Sequence, residues 1–218
     1  RIHRDGRIFV ADHKLGIVLL DAASGKITPF ITRYHREHFK GVNDLTFASN
    51  GDLYFTDQGQ SDYADRTGRV YRYTAAGALH KIADCLPSPN GLVLNAKEDM
   101  LFVAVTRGNA VLRFPLAPDG TVARMGVFIQ MSGGRGPDGM TIDEHDGLVV
   151  AHPDMGAVWI FTHRGEPLYR VQSCSSDLVT NVAFGGPDRK TIYITDSGSG
   201  CVLTARVPTA GRLLYSHM

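Results

Sequence analysis

Four polar residues recur at junctions between a turn and an apolar run: Asn43, Asn90, Asp138 and Asn181, spaced by 47, 48 and 43 residues. They lie in Gly41-Val42-Asn43-Asp44-Leu45, Ser88-Pro89-Asn90-Gly91-Leu92, Gly136-Pro137-Asp138-Gly139-Met140 and Val179-Thr180-Asn181-Val182-Ala183. Three amides and one carboxylate brought together would offer the neutral and charged oxygen atoms that a hard divalent cation such as Ca²⁺ takes as ligands. A single Asn or Asp at such a place usually serves the turn backbone. Four in phase point instead to a shared site, in which Asp138 is the only carboxylate.

The elements that must position these residues follow from the same period. A repeat in the forties marks a repeat architecture. Within each unit the sequence predicts several short strands: 7–12 and 16–21; 43–47, 52–57, 69–73 and 79–83; 91–94, 100–105 and 110–115; 140–143, 147–151 and 157–161; 182–184, 191–195 and 201–206. Turn chemistry at Asn50-Gly51, Asp146-Gly147 and Pro187-Asp188 closes hairpins between them. No sustained three-and-four apolar spacing predicts a helix. About four antiparallel strands per repeat is the blade of a β-propeller, and the WD and kelch signatures are missing. Asp12, Asp57, Val105, His152 and Asp196 fall in one column at the ends of the second strands, on the end of the blade that carries the four leading residues. The leading residue paired with Asp12 would precede Arg1. The expected fold is therefore all-β, a six-bladed propeller of four-stranded antiparallel blades that lacks its N-terminal blade in residues 1–218, with the whole chain as one domain.

Other features carry less. His152 shares a blade and a face with Asp138, which suits an orienting or proton-transferring role as well as a structural one. Asp143-Glu144-His145-Asp146 is expected to be a solvated turn at the opposite end. Gly134-Arg135-Gly136-Pro137-Asp138-Gly139 matches G-x-G-x-x-G, but it leads into a strand where a dinucleotide site needs a helix. No G-x-S-x-G, H-E-x-x-H or P-loop motif is present. A formal charge of +1 with scattered basic residues gives no footprint for nucleic acid or an anionic membrane, and no apolar run is long enough to span a bilayer. The odd set Cys85, Cys174 and Cys201 is expected to be buried free thiols in a reducing, cytoplasmic compartment. A chain that starts at Arg1 also leaves room for an upstream signal.

With Leu53-Tyr54-Phe55-Thr56-Asp57, Ala183-Phe184-Gly185-Gly186 and the closing Leu214-Tyr215-Ser216-His217 added to the four leading segments, the whole chain resembles the gluconolactonase/regucalcin (senescence marker protein) family, in its bacterial gluconolactonase branch. The resemblance implies a six-bladed propeller with a divalent cation in its central channel, Ca²⁺ first and Zn²⁺, Mn²⁺ or Mg²⁺ as alternatives. The implied metal ligands are Asn90, Asp138 and Asn43, together with a first-blade Glu that has no counterpart in this sequence. Asp138 is also the implied catalytic base, and Asn43, Asn181 and His152 are the expected substrate-binding residues. The expected reaction is hydrolysis of a small-molecule sugar lactone to its aldonic acid. The alternatives are a related propeller hydrolase acting on other lactones or organophosphates, as diisopropyl fluorophosphatase does, and a non-enzymatic ligand- or protein-binding propeller.

Overall fold

Short runs rich in β-branched and aromatic residues, each closed by Gly, Asn or Asp, satisfy their backbone groups most readily by pairing with their neighbours. In the computed structural model, which describes residues 1–218, consecutive runs do pair antiparallel. The chain divides into two compact units, Arg1–Asn90 with Leu213–Met218, and Gly91–Arg212.

The first unit holds a three-stranded sheet of β1 (Ile8–Asp12), β2 (Gly16–Leu20) and β3 (Ile27–Ile31), and a small ribbon of β4 (Arg33–Tyr34) and β5 (Glu37–His38). A four-stranded sheet follows, of β6 (Val42–Phe47), β7 (Leu53–Asp57), β8 (Gly68–Tyr73) and β9 (Leu79–Leu86). Phe9 and Ile17 from one sheet and Leu45, Phe55 and Tyr71 from the other bury their side chains in one core. There Phe55 stacks on Tyr71 with ring centroids 5.2 Å apart, and Phe39 meets Phe55 edge-on at 5.3 Å. Burial of each such side chain contributes roughly 1.5–3 kcal/mol, which is what joins the two sheets.

The second unit contains three sheets in chain order. They are β10 (Pro89–Leu94, of which residues 91–94 belong to this unit) with β11 (Met100–Val105), β12 (Ala110–Pro115) and β13 (Gly126–Gln130); β14 (Met140–Ile142) with β15 (Leu148–His152), β16 (Ala157–Phe161) and β17 (Pro167–Gln172); and β18 (Val179–Gly185) with β19 (Thr191–Asp196) and β20 (Cys201–Arg206). One core joins the first two sheets through Val111, Ile129, Met140, Val150 and Phe161. A second joins the last two through Val149, Val158, Val182 and Ile194. In the sheet β14–β17 burial falls from the first strands to the last: β14 and β15 are buried throughout, whereas β17 is almost wholly exposed.

The expected strands are all present, and the antiparallel four-stranded blade is the repeating unit. Residues 1–218 form five blade sheets rather than six, at roughly 45 residues per blade. Two of them have three strands. The first opens on β1, whose Ile-Phe-Val-Ala-Asp is similar to Leu-Tyr-Phe-Thr-Asp in β7. The cysteines are free as expected but exposed rather than buried: Cys85 lies in an outer strand, Cys201 opens the edge strand β20, and Cys174 sits in a connecting loop. No helix is long and apolar enough to cross a membrane.

Candidate active site

In the second unit the site is built around Asp138. Gly136, at a φ of 110°, takes a backbone form that disfavours any side chain, and a Cβ there would collide with the carbonyl oxygen of Thr106. Glycine thus lets the loop lie against the adjacent blade. The hydroxyl of Thr106 then donates to the carbonyl of Pro137 at 2.8 Å. The Asp138 N–H donates to the Ala151 carbonyl at 2.9 Å, while the Ala151 N–H donates to the Gly139 carbonyl at 3.0 Å. Asp138 and Gly139 therefore share one partner on β15, the signature of a β-bulge. Gly139 N–H reaches Thr180 of the next blade at 2.9 Å, and Gly91 N–H of the preceding blade reaches the Asp138 carbonyl at 3.3 Å. Three blades thus fix the main chain under a half-buried carboxylate.

The loop leading into Asp138 is anchored to the turn after β15. His152 Nε2 lies 3.0 Å from the Gly133 carbonyl, so that nitrogen carries the proton. Asn109 Nδ2 donates to the same carbonyl at 2.9 Å. Arg135 N–H donates to Pro153, and its guanidinium pairs with both oxygens of Asp154 at 3.2 and 3.0 Å. His152 is 1% exposed. Burial holds its pKa below the ordinary 6.5, against the opposing pull of the Gly133 hydrogen bond.

The unfolded chain consequently binds more protons below pH 6.5 than the folded one does, and stability falls as pH drops through that region. Each pKa unit of depression is worth about 1.4 kcal/mol once the pH is below the folded value. His152→Gln is expected to flatten the decline in Tm between pH 7 and 5, measured by thermal melts; an unchanged slope would show that His152 is not its source.

In the first unit Asn43 and Asp44 lie in another bulge, between the Val42–Asp57 and Leu45–Phe55 pairs. Asn43 Nδ2 donates to Gln58 Oε1 at 3.1 Å, and Gln58 Nε2 donates to Ser88 Oγ at 2.7 Å. Asn90 is buried, and its carbonyl accepts the hydroxyl of Thr56 at 2.7 Å. Asp57 is fully buried and accepts the Gly41 N–H at 2.7 Å. Burial pushes its pKa up against that bond.

Register alters the phase at one position. In the last blade the bulge falls between the Val179–Asp196 and Asn181–Thr195 pairs, so Thr180 takes the place of Asn43 and Asn181 that of Asp44. Asn181 and Asp44 also cap alike, each accepting the N–H of the following residue at 2.8 Å. The side chain of Asn181 lies over Gly139, where a Cβ would collide with its amide. The second-strand carboxylates mostly organise turns: Asp12 accepts the N–H groups of Lys14 and Leu15, and Asp196 accepts the Ser173 and Ser176 hydroxyls.

The Asp143–Asp146 segment is the expected turn, with one change. Asp143 is buried and accepts the N–H groups of His145 and Gly147 at 2.8 and 2.7 Å. The G-x-G-x-x-G stretch runs into β14, as its sequence context predicts. No three His, Cys, Asp or Glu side chains converge as a metal cluster, and the donor set anticipated from sequence is of another kind, amide and carboxylate oxygens. Sequence reasoning missed Gln58 and Thr106. The one available signal was position, since both directly follow a second strand.

Comparison with known proteins places these features in context. The chain is 30% identical over 179 residues to lactonase drp35 of Staphylococcus saprophyticus, covering 78% of this chain and 55% of that protein. It is 29% identical over 230 residues to a gluconolactonase of Zymomonas mobilis, covering 97% of this chain and 63% of that protein. The chain thus spans about half to three fifths of the length of these curated relatives. Among solved structures, a gluconolactonase of Xanthomonas campestris superposes with a TM-score of 0.82 at 24% identity, covering 95% of this chain and 70% of that one. A calcium-binding regucalcin of Agrobacterium tumefaciens superposes with a TM-score of 0.81 at 21% identity, covering 100% and 78%. At these identities the structures speak for the fold, a β-propeller. A family model described as SMP-30/Gluconolactonase/LRE-like region matches residues 2–198, and the chain belongs to that family.

Proposed function

We propose that the chain hydrolyses a lactone, with an aldonolactone such as glucono-1,5-lactone as the first candidate and Asp138 as the residue that assists attack by water. The observation that carries this reading is the half-buried carboxylate of Asp138 on a bulge whose main chain three blades hold in place. A base so fixed meets substrate without first having to be ordered. Asp138 would take the proton of the attacking water as that water adds to the lactone carbonyl. Asn43, whose Nδ2 is committed to Gln58, has its amide oxygen to offer. Asn181 is proposed to orient substrate hydroxyls, and His152 to contribute through its hold on the loop before Asp138.

The side-chain oxygens of Asp138, Asn90 and Asn43 are of the chemical kind a divalent cation takes as ligands, and these residues are proposed as its ligands, with Ca²⁺ favoured by their hardness and Zn²⁺, Mn²⁺ or Mg²⁺ as alternatives. When bound, such an ion would polarise the lactone carbonyl and stabilise the developing oxyanion. Three unpaired, exposed thiols suit a compartment that keeps thiols reduced, and the cytoplasm is proposed. The test is acid release from glucono-1,5-lactone, corrected for spontaneous hydrolysis. A chelator is expected to lower the rate at least tenfold and added Ca²⁺, Mn²⁺ or Zn²⁺ to restore it. Turnover that is indifferent to chelator would remove the cation from the reading.

A further inference from the structure

A cleft of about 170 Å³ opens between β13 and the sheet β14–β17. Ile129, Met131, Phe161 and Pro167 give it apolar walls, and His152 and Trp159 line it as well. Register sets these two on one face: Trp159 pairs with Val150, two residues from His152 on β15. Each carries a buried nitrogen without a hydrogen-bond partner, Nδ1 of His152 and Nε1 of Trp159. Unpaired buried polar atoms are rare in native proteins, and each asks for an explanation.

The two nitrogens are chemically opposite. With Nε2–H of His152 engaged by Gly133, Nδ1 of the neutral ring is an acceptor, while the indole Nε1–H is a donor. Burial keeps that ring neutral, and none of the residues lining the cleft is acidic or basic apart from it. A hydroxyl is the smallest organic group that both donates and accepts. Cavities near 150 Å³ admit a six-membered ring.

We propose that this cleft is a binding site for a small, uncharged, hydroxyl-bearing ring compound, whose hydroxyl donates to His152 Nδ1 and accepts from Trp159 Nε1–H while the ring packs on Ile129, Met131 and Phe161. The site uses neither Asp138 nor a cation, so it stands or falls apart from lactone hydrolysis.

Trp159 is the only tryptophan in the chain, so a ¹H–¹⁵N correlation spectrum of the intact protein contains one indole signal. Titration with cyclohexanol is expected to move that signal downfield and to saturate. Methylcyclohexane, of similar size but without the hydroxyl, is expected to bind at least tenfold more weakly, the loss that about 1.4 kcal/mol of hydrogen bonding represents. His152→Phe is expected to weaken cyclohexanol binding to the same extent. If that variant does not fold, the two titrations of the wild-type protein decide alone. An indole signal unmoved up to the solubility limit of cyclohexanol, which would mean that the cleft takes only water, overturns the proposal. An equal response to methylcyclohexane, or wild-type affinity in folded His152→Phe, overturns it as well.

Discussion

Asp138→Asn is expected to lower kcat for lactone hydrolysis by roughly 10²–10⁴-fold, the usual contribution of a positioned general base. The substitution preserves shape, and the main-chain bonds of residue 138 to Ala151 and Gly91 do not involve the carboxylate. The blade should therefore keep its geometry, and Tm should change little. What is lost is the ability to take a proton, and the only charge among the residues proposed to hold a cation. A drop in kcat with nearly constant KM points to the base role. A drop that extra Ca²⁺ partly reverses points to the ligand role. Turnover close to wild type in purified Asp138→Asn would remove Asp138 from the reaction altogether.

Gly136→Ala is expected to be the most destabilising single-methyl change in the second unit, by roughly 2–6 kcal/mol. Two penalties add. An L-residue at a φ of 110° carries about 1–3 kcal/mol of backbone strain, and forcing a methyl into a filled space costs a further 1–3 kcal/mol or so. The obstacle is the backbone of Thr106, which cannot turn aside as a long side chain could. Against a total stability of about 5–15 kcal/mol, the loss is large, and urea or thermal unfolding would register it. The loop would also swing away from Thr106 and take Asp138 with it, so activity should fall even in molecules that remain folded. A melting curve superposable on wild type would contradict the close approach on which the site is built.

The parts of the fold that could be read from sequence are those with a strong local cause. Asn50-Gly51 forces a hairpin wherever it stands, and β7 and β15 read as apolar runs because they are buried on both faces. The outer strands β3, β13 and β17 had no such signature. They are largely exposed, so no alternation is imposed on them, and Pro29 and Pro167 argue against strand except at an edge. In the candidate site, the shared bulge position of Asp138 and Asn43 was legible from their phase. Asn181 was placed one position out of phase because a bulge adds a residue without altering composition. Gln58 and Thr106 stayed hidden because each acts on a partner about 30 residues away, a proximity that only the folded chain creates. The exposure of the cysteines likewise depends on which strand lies at an edge.

The bulges at the starts of β6, β14 and β18 have a consequence for how such a site can change. In a regular strand, side chains alternate strictly, and a new residue type on one face has to suit the packing of that face. The bulge takes one position out of that alternation, so its side chain is no longer bound by the demands of the core. Asn43, Asp138 and Thr180 fill equivalent positions in three blades with an amide, a carboxylate and a hydroxyl, while the strands that follow them keep the same buried pattern of Leu45, Met140 and Val182. The blade thus works as a fixed mount with an interchangeable fitting, and the chemistry at these positions can be rewritten one residue at a time without renegotiating the hydrophobic interior.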